Sequence, residues 1–277
     1  MDPERGGSIS EAIRRARELR LGALRAPMRR TTDKAPGDQP LLAEMPKFQQ
    51  IPFDAATCRR NRILLPDSKQ KRSGAAAYRM LRARVLQRAR SNDWTTIGVT
   101  SPGAGEGKSL TAINLALTIA REKNNNVFLI DFDMRNPKLC RYLGVEAPRG
   151  IEQLLQRQTE PKDCLFSIGV GHLVLGGTNS GTDQSSELLA STGPEDLFTY
   201  IKRIAPSPLI LIDLPPLLST DDALVLAPKI DACLLVVSEG KSRRDGTAKA
   251  LELMSEFNLA GIVLNRSSTV VSDYYTT

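Results

Sequence analysis

Residues 100–111 read Thr-Ser-Pro-Gly-Ala-Gly-Glu-Gly-Lys-Ser-Leu-Thr and lie between an apolar run at 96–100 and a stretch of helical period at 109–123. Gly103, Gly105 and Gly107 let the backbone curl until several N–H groups face one anion, and a helix opening near Ser109 adds its positive end. Lys108 then reaches the β- and γ-phosphates of a nucleotide, and the Ser109 hydroxyl is a ligand for Mg²⁺. Ala104, Glu106 and Leu110 belong to the same nucleotide-binding run. The strict phosphate-loop pattern asks for glycine where Pro102 stands. The strand–loop–helix context outweighs that departure.

That loop sets the expected fold. From residue 95 onward, apolar runs at 96–100, 127–131, 173–175, 209–213, 232–237 and 261–265 alternate with helical stretches such as 109–123 and 243–257. Fully apolar strands joined by crossover helices predict an α/β, doubly wound, mostly parallel sheet with helices on both faces. Ligands of such sheets bind beyond the carboxyl ends of the strands.

Three acids fall at those ends. Asp131 and Asp133 close the second strand, and with period 2 their side chains leave the same side of the chain. Two carboxylates together call for a cation; beside a nucleotide they would hold Mg²⁺ through water, and one would accept a proton from an attacking hydroxyl. Asp213 follows the run Leu-Ile-Leu-Ile about a hundred residues after the phosphate loop, the layout of a strand whose acid holds the metal.

Charge divides the chain differently. Residues 1–95 carry 21 Lys and Arg against 10 Asp and Glu, whereas 96–277 carry 17 against 21. The basic third suits acidic lipid, nucleic acid or an acidic protein surface, or a solvated arm. Residues 8–21, capped by Ser8 or Ser10, predict a short helix. Pro27, Pro36, Pro40, Pro46 and Pro52 then predict a linker over 26–72. The expected division is a poorly ordered basic arm and linker (1–72), an ordered domain (73–265) led by a helix at 75–90, and a C-terminal tail (266–277). Some classes drop out. No apolar run approaches the roughly 20 residues of a membrane-spanning helix, and the N-terminus lacks the layout of a secretory signal. Four cysteines without a close pair and a single histidine, His172, argue against structural zinc and a catalytic triad, and fit a reduced cytosolic setting.

The set SPGAGEGKS, LIDFDMRNP and LILIDLPP, in that order, resembles the bacterial tyrosine autokinases of exopolysaccharide and capsule loci, especially the cytoplasmic ones beside exosortase-type loci. The resemblance covers about residues 74–277. It implies Walker A at Gly103 to Ser109, Walker A′ at Asp131 and Asp133, and Walker B at Asp213, with ATP and Mg²⁺ as cofactors. It implies that Asn265 reads the adenine and that Arg135 lies near the phosphates. It implies a phosphorylated tyrosine tail, here Tyr274 and Tyr275, and a basic helix for ring assembly, of which Arg79 and Arg82 match while Ala76 stands where glutamate is expected. A membrane chain-length or co-polymerase partner, recruitment to the inner face of the membrane, an opposing phosphotyrosine phosphatase and a homo-oligomer follow from the same likeness, with no nucleic acid expected.

The tail has the reach such chemistry needs. Asn265 and Tyr274 are nine residues apart, at most about 30 Å when extended, which covers the chain's own site and a neighbour's. Two other readings share the loop: a ParA/MinD-like ATPase switch, which would carry a lysine where Gly103 stands, and a nucleotide-binding adaptor.

Overall fold

The computed structural model describes residues 45–65, 72–122 and 125–268. Eight strands form one sheet: β1 Gln49–Gln50, β2 Thr96–Thr100, β3 Val127–Asp131, β4 Leu165–Ser167, β5 Leu173–Gly176, β6 Leu209–Asp213, β7 Ala232–Ser238 and β8 Leu259–Asn265. Their order across the sheet is β1-β4-β5-β3-β6-β2-β7-β8, and every pairing is parallel except β4 with β5. The doubly wound parallel sheet expected from the alternating pattern is present.

The helices, in chain order, are α1 Ala55–Arg60, α2 Arg72–Ser91, α3 Lys108–Ala120, α4 Leu139–Leu143, α5 Ile151–Leu155, α6 Pro161–Cys164, α7 Ser185–Ala190, α8 Gly193–Ile204, α9 Asp222–Leu226 and α10 Arg244–Leu253. Strand residues divide their side chains between two cores with period 2. Val127 and Leu129 join Ile113, Leu117 and Val99 on one face, while Phe128 and Ile130 join Phe198, Ile201 and Leu226 on the other. α3 is buried over almost its whole length, its apolar residues packed on the sheet and its few polar side chains hydrogen-bonded inside. α8 is amphipathic, with Leu197, Phe198 and Ile201 turned inward.

The expected linker ends earlier than its prolines suggest. Residues 45–65 are part of the domain. β1 pairs in parallel with β4, extended by an Ile51 N–H donated to the Ser167 carbonyl at 2.8 Å. Asp54 caps α1 by accepting from the Ala56 N–H at 2.9 Å. Cys58 and Ile63 are fully buried in the core that α3 fills. Pro46 and Pro52 flank a two-residue strand at the edge of the sheet, a place that tolerates proline. The arm proper (1–44), with its expected helix at 8–21, and the tyrosine tail lie outside the described residues.

Among the described residues no helix is long and apolar enough to cross a membrane. All four cysteines are free and buried, and burial pushes the Cys140, Cys164 and Cys233 thiols up to about 12.

Candidate nucleotide site

The phosphate loop is pinned from below by the segment leaving β6. Thr100 Oγ1 donates to the Pro215 carbonyl at 2.7 Å, and the Leu217 N–H donates to the Ser101 carbonyl at 2.9 Å. Within the loop, Ser101 Oγ donates to the Gly103 carbonyl at 2.7 Å. Gly105 and Gly107 take φ of 75° and 102°, the left-handed region that glycine enters without strain. Gly107 also has the side-chain amide of Asn265 packed where a Cβ would stand. Gly107→Ala is therefore expected to abolish measurable nucleotide binding, since the loop must either distort or expel Asn265; titration with a fluorescent ADP checks it.

At the end of the loop the first residues of α3 meet the acids. Lys108 Nζ lies 2.6 Å from Asp133 Oδ2 and 3.0 Å from Asp213 Oδ1, with Ser109 Oγ at 3.2 Å. All three charged side chains are nearly inaccessible to solvent. Burial alone would lower the Lys108 pKa, but Asp213 and Asp133 together raise it. Burial pushes Asp213 up, against the pull of Lys108. One oxygen of Asp213, Oδ2, is buried without a hydrogen-bond partner.

Asp131 and Asp133 lie in one buried cluster with different partners. Asp131 accepts backbone N–H bonds from Asp133 at 3.2 Å and from Lys138 and Leu139 at 3.0 Å each, so it shapes the loop that leads into α4. Burial, then the charge of Asp213, push its pKa up. Asp133 instead faces Lys108.

Three residues assigned to the nucleotide from the sequence have partners within the protein. The Glu106 carboxyl is buried, which raises its pKa against bonds from Ser242 and from the Gly103 backbone, so it braces the loop from within. Arg135 pairs with Asp222, its Nε 3.5 Å from that fully buried carboxylate, whose Oδ2 also accepts from Ser185 Oγ at 2.7 Å. Its position on the loop after Asp131 carries it over α9. Asn265 lines the site, but its Nδ2 donates to the Glu106 carbonyl at 2.8 Å and its Oδ1 accepts from the Arg266 N–H at 2.8 Å. It clamps the loop to β8.

A cavity of about 200 Å³ opens off this loop, lined by Gly105, Gly107, Lys108, Ser109, Leu110, Asn265 and Arg266 on one side and by Arg62, Lys138 and Tyr142 on the other. The sequence reading missed the second group. Arg62 lay within the supposed linker, and Lys138 and Tyr142 stand beyond the recognised motif.

The chain was compared with known proteins. No family model matches it. It is 27% identical to the tyrosine-protein kinase YwqD of Bacillus subtilis, over 75% of this chain and 87% of that protein. It is 29% identical to the tyrosine-protein kinase CpsD of Streptococcus pneumoniae, over 64% of this chain and 78% of that one. Among solved structures, the BceF tyrosine kinase domain superposes with a TM-score of 0.65 at 27% identity, covering 80% of this chain and 93% of its own. The cell-division ATPase MinD of Pyrococcus furiosus reaches a TM-score of 0.51 at 18% identity over 62% of this chain. MinD shares the fold; likeness in both sequence and fold runs to bacterial tyrosine kinases.

Proposed function

We propose that the chain is an ATP-dependent protein-tyrosine kinase that phosphorylates Tyr274 and Tyr275, on its own tail or on a neighbour's. The carrying observation is the buried set of Lys108, Asp133 and Asp213 at the opening of α3, in a chain whose relatives are named tyrosine kinases. A phenolic hydroxyl with a pKa near 10 is a poor nucleophile at neutral pH. Its proton passes to a carboxylate as the phenolate oxygen bonds to the γ-phosphorus and the bond to the β–γ bridging oxygen breaks, releasing ADP. Asp133, freed when Lys108 turns to the phosphates, is the carboxylate placed to take that proton; Asp131 holds the loop that carries it. Lys108 bears part of the charge that develops on the transferred group.

The donors present suit Mg²⁺. Asp213 Oδ2 is a buried acceptor without a partner, and Ser109 Oγ sits beside it in the lysine's shell. Among the described residues no three His, Cys, Asp or Glu side chains gather into a metal site, so the ion would share the nucleotide's own oxygens, as Mg²⁺ commonly does. When bound, it would draw negative charge from the phosphates.

Tyr78 is a poor acceptor. It is half-buried and hydrogen-bonded to Thr111 and Asn114, and burial raises its pKa. Incubating the protein with radiolabelled ATP and Mg²⁺ and mapping the label is the test. The double substitution Tyr274→Phe and Tyr275→Phe is expected to remove more than nine-tenths of the label. Label confined to Tyr142 or Tyr200 would sink the tail assignment, and phosphate release without protein label would favour the switch reading.

The wider setting follows from the same reading. The kinase regulates polymerisation or export of an exopolysaccharide, is recruited to the inner face of the membrane by a chain-length or co-polymerase protein, and is opposed by a phosphotyrosine phosphatase. Its functional parts are an arm (1–44), a kinase domain (45–265) and the tail. Homo-oligomer formation through α2 has a weaker basis, because Arg82 is paired with Glu122 of its own chain at 3.0 Å and Ala76 offers no carboxylate.

A further inference from the structure

Arg62 stands in the turn after α1, on the side of the cavity that the phosphate loop does not build. Its φ of 60° is left-handed, where a long side chain is disfavoured and glycine is at ease. The P-loop helix itself holds it there. Asn114, one turn beyond Leu110 on α3, donates from Nδ2 to the Arg62 carbonyl at 3.2 Å, and its Oδ1 accepts from the Leu64 N–H at 2.8 Å. The guanidinium is exposed, and among the described residues it has neither a carboxylate nor a hydrogen-bond acceptor.

The charge of the cavity matches. Arg62, Lys108, Lys138 and Arg266 line it, and no carboxylate does. Asp133 and Asp213 already compensate Lys108, so the surplus comes from the other three. Arg266, on the opposite wall, is also left-handed, at φ 57°, and donates to the Gly105 carbonyl at 3.1 Å. Two arginines in a backbone conformation that favours glycine face one cavity from two ends of the chain. Retained strain of this kind gathers where a side chain has a task.

We propose that Arg62 is a nucleotide-binding residue, its guanidinium contacting phosphate oxygens of the ATP held by the loop, so that residues 45–65 form a third wall of the site. This rests on reading the cavity as an ATP site. A guanidinium meeting phosphate makes strong, charge-assisted hydrogen bonds.

The test uses the full chain and three nucleotides, AMP, ADP and ATP, whose affinities are measured for the wild type and for Arg62→Gly and Arg62→Lys. Arg62→Gly is expected to melt at the same temperature as the wild type or higher, because the strain is relieved. It is expected to bind ADP and ATP about tenfold more weakly or worse, with the loss smallest for AMP and shrinking in high salt. Arg62→Lys should recover part of the loss. Wild-type ADP affinity in Arg62→Gly would overturn the proposal. So would a lowered melting temperature with equal losses for all three nucleotides, which would assign Arg62 to folding. A wild-type chain that binds none of the three would overturn the ATP site, and the role of Arg62 with it.

Discussion

Replacing Lys108 by methionine is expected to reduce self-phosphorylation at least 10²–10³-fold, roughly the cost of removing one transition-state charge contact. The structure adds a second effect. Lys108 is the cation between two buried acids, Asp133 and Asp213. Removing one partner of a buried ionic set costs about 3–5 kcal/mol, because charge is left uncompensated. The nucleotide-free mutant should therefore melt well below the wild type at pH 8. Asp213 already has a raised pKa in the folded protein, and losing Lys108 raises it further. A raised carboxyl binds its proton in the folded state over a pH range where the unfolded chain has released it, so its destabilisation grows as pH rises and fades as pH falls. The gap between mutant and wild type should thus narrow toward pH 5. A mutant that melts like the wild type at both pH values would show that the three side chains do not share one charge balance. Phosphotyrosine at wild-type levels would remove Lys108 from catalysis.

The second large effect concerns the N-terminal boundary. Deleting residues 1–44 should leave a folded, nucleotide-binding domain, because the described contacts of the sheet begin at residue 45. Deleting 1–65 should not. That cut removes Cys58 and Ile63, both fully buried, and Leu65, which is nearly so. Burying one large aliphatic side chain contributes about 1.5–3 kcal/mol, and a domain's whole margin is on the order of 5–15 kcal/mol. Loss of β1 also leaves β4 as an open edge. The expected result is an aggregated or unfolded product, seen by circular dichroism and size-exclusion chromatography. A soluble 66–277 chain that binds ATP would show that the segment is an accessory.

Strands β2, β3 and β6 were legible residue for residue, because each is an unbroken apolar run ended by a polar group at the site. Lys108, Ser109, Asp131, Asp133 and Asp213 lie together at the carboxyl ends of the strands. What the sequence hid has local causes. β1 and β4 are two and three residues long, too short for periodicity to register. The segment 45–65 reads as a linker because prolines flank its strand, and only tertiary contact reveals that Cys58 and Ile63 are core. The side-chain directions of Glu106 and Arg135 depend on Ser242 and Asp222, distant in sequence. A motif gives a residue's position along the chain, and its partners across the fold decide where the side chain goes.

β1 has a consequence beyond sealing the sheet. The same short segment carries the edge strand and, a dozen residues later, the arginine at the lip of the cavity. By reciprocity of linked equilibria, a ligand that holds Arg62 also holds the strand, and whatever peels the strand withdraws Arg62 by the same free energy. Residues 1–44 attach directly ahead of Met45. A load on the chain ahead of Met45 would be felt first by β1 and then at Arg62, so the segment couples the sheet edge to the lip of the cavity.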